Sequence, residues 1–289
     1  MRLRRFGLNI LAAALGCMSC GAQAQSRSID LGSLFDTGKS LAKSQSVGSM
    51  SEEEELSIGK EVVAATLGGY PPVKNPNFQR RLNQVGVWIA LQSSRPDLPW
   101  RFAAVQSDTI NAFAAPGGTI MVTTGMLGHV VNEAELACVL GHEIGHVTRR
   151  HHIAVLQKSL LVSAGASALN IQSKSGGGEE YRKRLVAESK EIFTRGLDRS
   201  SEREADEDGV LLAARAGYDP AACLNFMQRL ASLKADTSAL AALYKTHPTA
   251  RERVADVDQA LGKLKGAAPG EGARPELSLN ASASGGGKQ

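Results

Sequence analysis

The sequence predicts an α+β domain weighted towards helix, with a small β-sheet set just before a histidine-bearing helix. Three observations carry this expectation. Capped segments of helical spacing dominate residues 52–263. Short β-branched or aromatic runs, bounded by Pro, Gly and Asp, interrupt them once. No internal repeat is visible, so the chain is read as one folded unit with flanking segments.

The elements follow in order. Ser51 with Glu54 makes a capping box before "EELSIGKEVVAATLG". Asn75-Pro76 supplies a cap and a first-turn proline for "NFQRRLNQVGVWIALQ". "WRFAAVQS" and "GGTIMVTTG" read as strands around "NAFAAPGG". Asn132 opens a helix expected to run without a break towards Leu169. The polar stretch "QSKSGGGEE" interrupts the pattern before a charged helix ending near Phe193. Ser200 or Ser201 opens a further helix that Gly217 closes, and Asp219-Pro220 begins the next.

The flanks differ in character. "MRLRRFGLNILAAALGCMSCGAQAQ" has a cationic start, an apolar run and a small-residue site at Ala22-Gln23-Ala24, so residues 1–24 read as a cleaved secretory signal peptide. Lipidation at Cys17 or Cys20 is disfavoured, since neither has a large aliphatic residue three places before it. Residues 25–51 read as a flexible leader, 52–263 as the folded domain and 264–289, rich in Gly, Ala, Ser and Pro, as a disordered tail. No later segment reaches the length of apolar residues that spans a bilayer, so a periplasmic, non-membrane-spanning mature chain is expected.

Composition closes other doors. The net charge of +4 includes Arg2, Arg4 and Arg5, whose removal leaves about +1, and aromatics make up only 4% of the chain, so no nucleic-acid partner is expected. Cleavage would leave Cys138 and Cys223 in an oxidising compartment, where a bond is permitted. The reading favours two buried free thiols, because sequence does not place the pair within bonding distance.

Four of the six histidines lie in "LACVLGHEIGHVTRRHH", residues 136–152. On a helix His142 and His146 project from one face, one turn apart, and can share a metal ion. A zinc ion held so would acidify water, and Glu143 beside it could take the proton and pass it to a leaving amine. His151 and His152 fall well round an unbroken helix from that pair and read as helix-end cations. Such a site needs a third protein ligand. "DRSSEREADEDGV" offers several carboxylates, which by themselves read as a solvated acidic face. Glu202 and Asp206, at i and i+4 beside Ala205 and Val210, share a face. Glu202 could bind the metal while Asp206 orients an imidazole; Glu204 and Asp208 point elsewhere. His247, alone before Pro248, reads without further context as a satisfied loop residue.

HEIGH, followed some sixty residues later by Glu202-Arg203-Glu204-Ala205-Asp206, resembles the HtpX/BepA/CAAX-protease family of zinc metallopeptidases, the gluzincins of peptidase family M48. "NAFAAPGGTIMVTTGML" and "HPTARERV" match the family's pattern too, and the four motifs lie in the right order across about residues 52–263. The resemblance implies a zincin-like fold and one zinc ion on His142, His146 and Glu202, with Glu143 as general base and Asp206 behind the ligands. It implies that the strand ending in "GGTIMVTT" is an exposed edge accepting an extended peptide, with Asn111, Ala112, Gly118, Thr119, Ile120 and Met121 as substrate contacts. His247 is expected either to fill the open metal position at rest or to stabilise the oxyanion, and Arg253 to pair with nearby carboxylates.

Membrane-bound members carry transmembrane helices around the zinc helix, whereas "SLLVSAGASALNI" is too short and hydroxyl-rich to span. BepA-like members append a helical-repeat domain for docking to outer-membrane assembly machinery. The expectation for this chain is therefore the stand-alone, exported branch, with unfolded or misfolded envelope polypeptides as substrates and the assembly machinery as a partner. A chaperone-like binding module with little proteolysis is the alternative, and a purely structural zinc a weaker one. The 172–180 segment is a candidate lid.

Overall fold

The structure, a computed structural model, describes residues 50–164, 196–233 and 238–264. The signal segment, nearly all of the leader, the candidate lid at 172–180, the helix expected to end near Phe193 and the tail from 265 lie outside the described residues.

Ser51 accepts the Glu54 N–H while the Glu54 side chain takes the Ser51 N–H, and α1 (Glu52–Leu67) starts from this reciprocal cap. Asn75 caps α2 (Pro76–Ala90) through the Phe78 N–H. Phe78, Leu82, Val85 and Ile89 recur at helical spacing, face inwards and are buried. Each such side chain contributes about 1.5–3 kcal/mol on burial. Next come β1 (Arg101–Val105), β2 (Ala112–Ala115), β3 (Thr119–Thr123) and the short α3 (Thr124–His129). Then α4 (Glu133–Thr148) carries the HEIGH segment and α5 (His151–Ala164) follows it. After the break come α6 (Arg199–Arg215), α7 (Ala221–Ser232), α8 (Ser238–Thr246) and α9 (Ala250–Lys263). The outcome is the expected α+β domain, mostly helical, with its sheet ahead of the histidine helix.

The sheet order is β1-β3-β2, with β3 parallel to β1 and antiparallel to β2. This corrects the expectation that the "GGTIMVTT" strand is an edge: β3 is central, and the backbone of Thr119, Ile120 and Met121 is committed on both sides. A strand alone does not say which of its neighbours come back to pair with it. The β1 edge is also closed. Gln79 accepts the Ala104 N–H and donates to the Ala104 carbonyl, Asn83 accepts the Phe102 N–H, and Val73 adds a further donor to Ala104. Capping an edge in this way blocks further strand addition there. Among the described residues, β2 is the edge left without a partner strand.

The main core joins α2, the sheet, α4, α6, α7 and α9, and a smaller one joins Ile58, Val62, Ala115, Ile153 and Leu156. Helices α4 and α6 pack face to face where Gly141 meets Gly209. A methyl added at Gly141 would sit 3.0 Å from the Gly209 Cα and carbonyl oxygen, and one at Gly209 would sit 3.1 Å from the His142 nitrogen. A side chain at either glycine would have to push the two backbones apart by a few tenths of an ångström.

The helix expected to run from Asn132 to Leu169 is instead two helices. α4 ends at Thr148 and Arg150 adopts φ 55° before α5 begins. Cys138 and Cys223 form a disulfide with Cα atoms 5.3 Å apart, correcting the free-thiol reading. The reason is tertiary: α7 lies along α4, which a sequence separation of 85 does not disclose. Closing a loop of that length restricts the unfolded chain, so replacing both cysteines with serine should lower stability by about 2–4 kcal/mol in urea unfolding, and reduction of the wild type should do the same.

Candidate metal centre

α4 presents its ligands through a cap and a buried face. Asn132 accepts the Glu135 N–H, and from Leu136 to Val147 every residue of the helix is buried. His142 and His146 sit one turn apart with their Nε2 atoms 3.0 Å from each other. Across the glycine contact, α6 starts at its Asp198 cap and places Glu202 with Oε2 3.6 Å from His142 Nε2 and Oε1 3.5 Å from His146 Nε2. The N-terminal end of α9 and the loop before it supply Arg253 and His247. The Nδ1 of His247 lies 2.9 Å from Glu202 Oε2, and its Nε2 lies 3.9 Å from Glu143 Oε1. One ligand atom from each of His142, His146, Glu202 and His247 falls within 4.8 Å of all the others.

These residues fit a metal ion. Tetrahedral zinc with N and O ligands at about 2.0–2.1 Å sets neighbouring ligand atoms about 3.3 Å apart, close to the 3.0–3.6 Å separations among His142, His146 and Glu202. Proton positions agree. Asp206 Oδ1 and Arg253 Nη2 both lie 3.0 Å from His142 Nδ1, and in the tautomer that donates to the carboxylate Nε2 keeps its lone pair for a metal. Two Nε2 atoms 3.0 Å apart can share one proton or, with both lone pairs free, bind one cation together. Burial, and then the neighbouring His142 ring, push His146 well below the ordinary imidazole range, so the ring is neutral and has a lone pair to offer.

The surrounding charges are set by pairing. Burial raises the Asp206 carboxyl, but Arg253, which donates from Nε at 2.9 Å and also from Nη2, outweighs burial and holds it well below the ordinary range. Burial likewise opposes ionisation of Glu202, and the His247 ring, with His142 and Arg253, brings it down to about 2. Burial disfavours the His247 cation, but the Glu202 carboxylate more than offsets this and raises its pKa. Glu143 moves the other way: burial raises its carboxyl, with His247 and His142 pulling it partly back. A base raised towards neutrality is suited to taking and returning a proton.

His142, Glu143, His146, Glu202, Asp206, His247 and Arg253 thus converge. Ala112 lines the cavity beside the centre and Asn111 lies 3.5 Å from the Thr246 hydroxyl, while Gly118, Thr119, Ile120 and Met121 do not reach the centre as an open edge. The Thr123 N–H donates to the Asn111 carbonyl, and the antiparallel alternation turns the Phe113 and Ala115 groups to β3. Ala112 and Ala114 therefore direct their backbone groups outwards, and the Ala112 N–H is taken by the Asn111 side chain. A cleft beside this edge is lined by Ala112, Phe113, Ala114, Glu143 and His247. The residue missed by sequence reasoning is His151. It is buried, with Nδ1 2.9 Å from His146 Nδ1, and the kink at Arg150 overturns the assumption of a continuous helix that had set it aside. His152 is no cation either, since burial lowers it to about 3. Nor does Glu204 stand apart, as it bonds His151 at 3.1 Å. Phe226, Met227, Leu230 and Leu243, which line a cavity against the centre, carried no pattern beyond ordinary helix cores.

Removing Arg253 leaves Asp206 a buried carboxylate without its paired cation. Arg253→Ala should cost about 3–5 kcal/mol in urea unfolding of the metal-free protein at pH 7. Because the folded-state Asp206 value is depressed, the pair's contribution is present above the unfolded value of about 3.9 and is lost as pH falls through the depressed one. The gap between variant and wild type should close in strong acid.

Comparison with known proteins places this geometry. Residues 76–261 match the model of peptidase family M48. The chain is 25% identical over 269 residues to the β-barrel assembly-enhancing protease of Escherichia coli (strain K12), covering 91% of this chain and 54% of that protein. It is 34% identical over 165 residues to the mitochondrial metalloendopeptidase OMA1 of Arabidopsis thaliana, covering 57% of this chain and 32% of that protein. It is 25% identical over 182 residues to the metalloprotease LoiP of Escherichia coli (strain K12), covering 62% and 69%. The chain spans about half the length of the β-barrel assembly-enhancing proteases it matches.

Proposed function

The chain belongs to peptidase family M48, and from that premise we propose that it is an exported, zinc-dependent metalloendopeptidase acting on misfolded or misassembled envelope proteins in the periplasm. The observation that carries this reading is the convergence of His142, His146, Glu202 and His247 beside a buried Glu143. His142, His146 and Glu202 would hold one zinc ion. When bound, zinc supplies the positive charge that polarises a peptide carbonyl and acidifies water.

The chain's own residues do the rest. Glu143 takes the proton of the attacking water and delivers it to the departing amide nitrogen. His247, fixed by Glu202 through Nδ1 and turned towards Glu143 through Nε2, stands where it can donate to the oxygen that gains charge. The β2 edge is buried at Ala112 and Ala114, and an extended peptide that reaches it through the adjoining cleft would align as a further strand. The relatives' names suggest polypeptide substrates and a link to β-barrel assembly, and the outer-membrane assembly machinery is the partner proposed on that ground. No described helix is long and apolar enough to cross a membrane.

Beside His142, Glu143 and His247 lies a small apolar cavity of about 50 Å³, walled by Met126, Val139, Phe226, Met227, Leu230 and Leu243. The chemistry of its walls, rather than its size, suits an apolar side chain next to the scissile bond.

Glu143→Gln should retain zinc, measured by elemental analysis, yet fall at least about a thousandfold in degradation of an unfolded protein, and chelation of wild type should match it. Zinc-loaded wild type that cleaves nothing would sink the peptidase reading and leave a binding module. On peptides differing at one position flanking the cut, Leu or Phe should exceed Gly by at least about tenfold in kcat/KM. Phe226→Ala should move the optimum towards larger rings, and indifference to that position would remove the pocket's role.

A further inference from the structure

His146 and His151 meet through their Nδ1 atoms at 2.9 Å, and the far nitrogen of His151, Nε2, lies 3.1 Å from Glu204 Oε2. An unbroken helix cannot make the first contact, because five residues turn by about 500° and leave the second side chain roughly 140° round from the first. The chain makes it by breaking. α4 ends at Thr148, and Arg150 takes φ 55°, the one non-glycine residue with positive φ among the described residues. A left-handed arginine costs on the order of 1–2 kcal/mol and persists where its surroundings hold it. Here they do: Arg150 Nε pairs with the buried Glu55 Oε2 at 3.0 Å, and its Nη1 donates to the Met50 carbonyl at 3.2 Å. The turn delivers His151, the first residue of α5, against His146, with 3% of its surface exposed.

The direction of each hydrogen bond follows from the metal. An imidazole that offers Nε2 to a metal carries its proton on Nδ1. The His146 Nδ1–H therefore donates to His151 Nδ1, which fixes His151 as the Nε2–H tautomer, and that N–H donates to Glu204. Glu204 is itself paired with Arg149 at 3.3 Å. The two helix histidines are thus backed by carboxylates of the same helix, α6. Asp206 reaches His142 directly; Glu204 reaches His146 through one imidazole.

We propose that His151 is a positioning residue of the metal centre: backed by Glu204, it locks the ring orientation and tautomer in which His146 presents Nε2, and the Arg150 turn serves to place it. This rests on the metallopeptidase reading of the site. The test is the Zn2+ affinity of the full chain, measured by competition with a chromophoric chelator, with the visible spectrum of the Co2+-loaded protein as a second readout. His151→Ala should weaken Zn2+ binding by roughly 10- to 100-fold and alter the Co2+ bands. Glu204→Gln, at a half-exposed position that threatens no core packing, should weaken it by a smaller factor. His151→Asn, whose side-chain oxygen can accept the His146 N–H, should recover part of the loss. Wild-type affinity and Co2+ bands in both Glu204→Gln and folded His151→Ala would overturn the proposal. A wild-type chain that takes up no Zn2+ would overturn instead the metal reading beneath it.

Discussion

The site exists because two helices are allowed to touch backbone to backbone. At the contact of α4 and α6, Gly141 and Gly209 leave no space that a Cβ could occupy without forcing the helices apart. His142 and His146 lie on one side of that seam, and Glu202 and Asp206 on the other. Their separations of 3.0–3.6 Å depend on the helix axes being this close. The disulfide from Cys138 to Cys223 and the apolar packing of α2 and α7 hold α4 from its other sides. A metal centre made from two helices needs this rigidity, since a displacement of one ångström would spoil three ligand distances together.

Burying so much charge is tolerable only where each group has a partner. Asp206 has Arg253 and His142; Glu55 has Arg95 and Arg150; Glu135 has Arg229 and the Val131 N–H. The first of these systems sits at the centre, and the second holds the turn that delivers His151. Such pairs add little net stability against apolar replacements, but breaking one exposes the full desolvation cost of what remains. They act as locators: each fixes an element whose position matters to the metal ligands.

Much of this was legible in local pattern. Caps at Ser51, Asn75 and Asn132 start the helices where expected, because capping depends on four residues and nothing else. His142, His146, Glu202 and Asp206 come together as their i, i+4 spacing suggested, because two helix faces need only be brought opposite each other. What failed depended on distance. Strand pairing is decided by chain return, so β3 passed for an edge. The disulfide depends on where α7 lands, and α7 shows only an amphipathic pattern. The break at Arg150 is least legible of all: arginine has no preference for positive φ, and it adopts that conformation because Glu55 and Met50, far away in sequence, hold it there.

The sheet has one edge sealed by side chains of α2 and the other left beside Glu143. A ligand that docks there must supply a stretch of main chain whose own N–H and carbonyl groups are unspent. Native domains rarely have one to spare, since their strands and helices have already matched those groups internally. Admission then depends less on which residues a protein contains than on whether a few of them have come loose. On the proposed reading, a surface of this kind would work as a gauge of local unfolding, and the chemistry behind it would act on whatever the gauge admits.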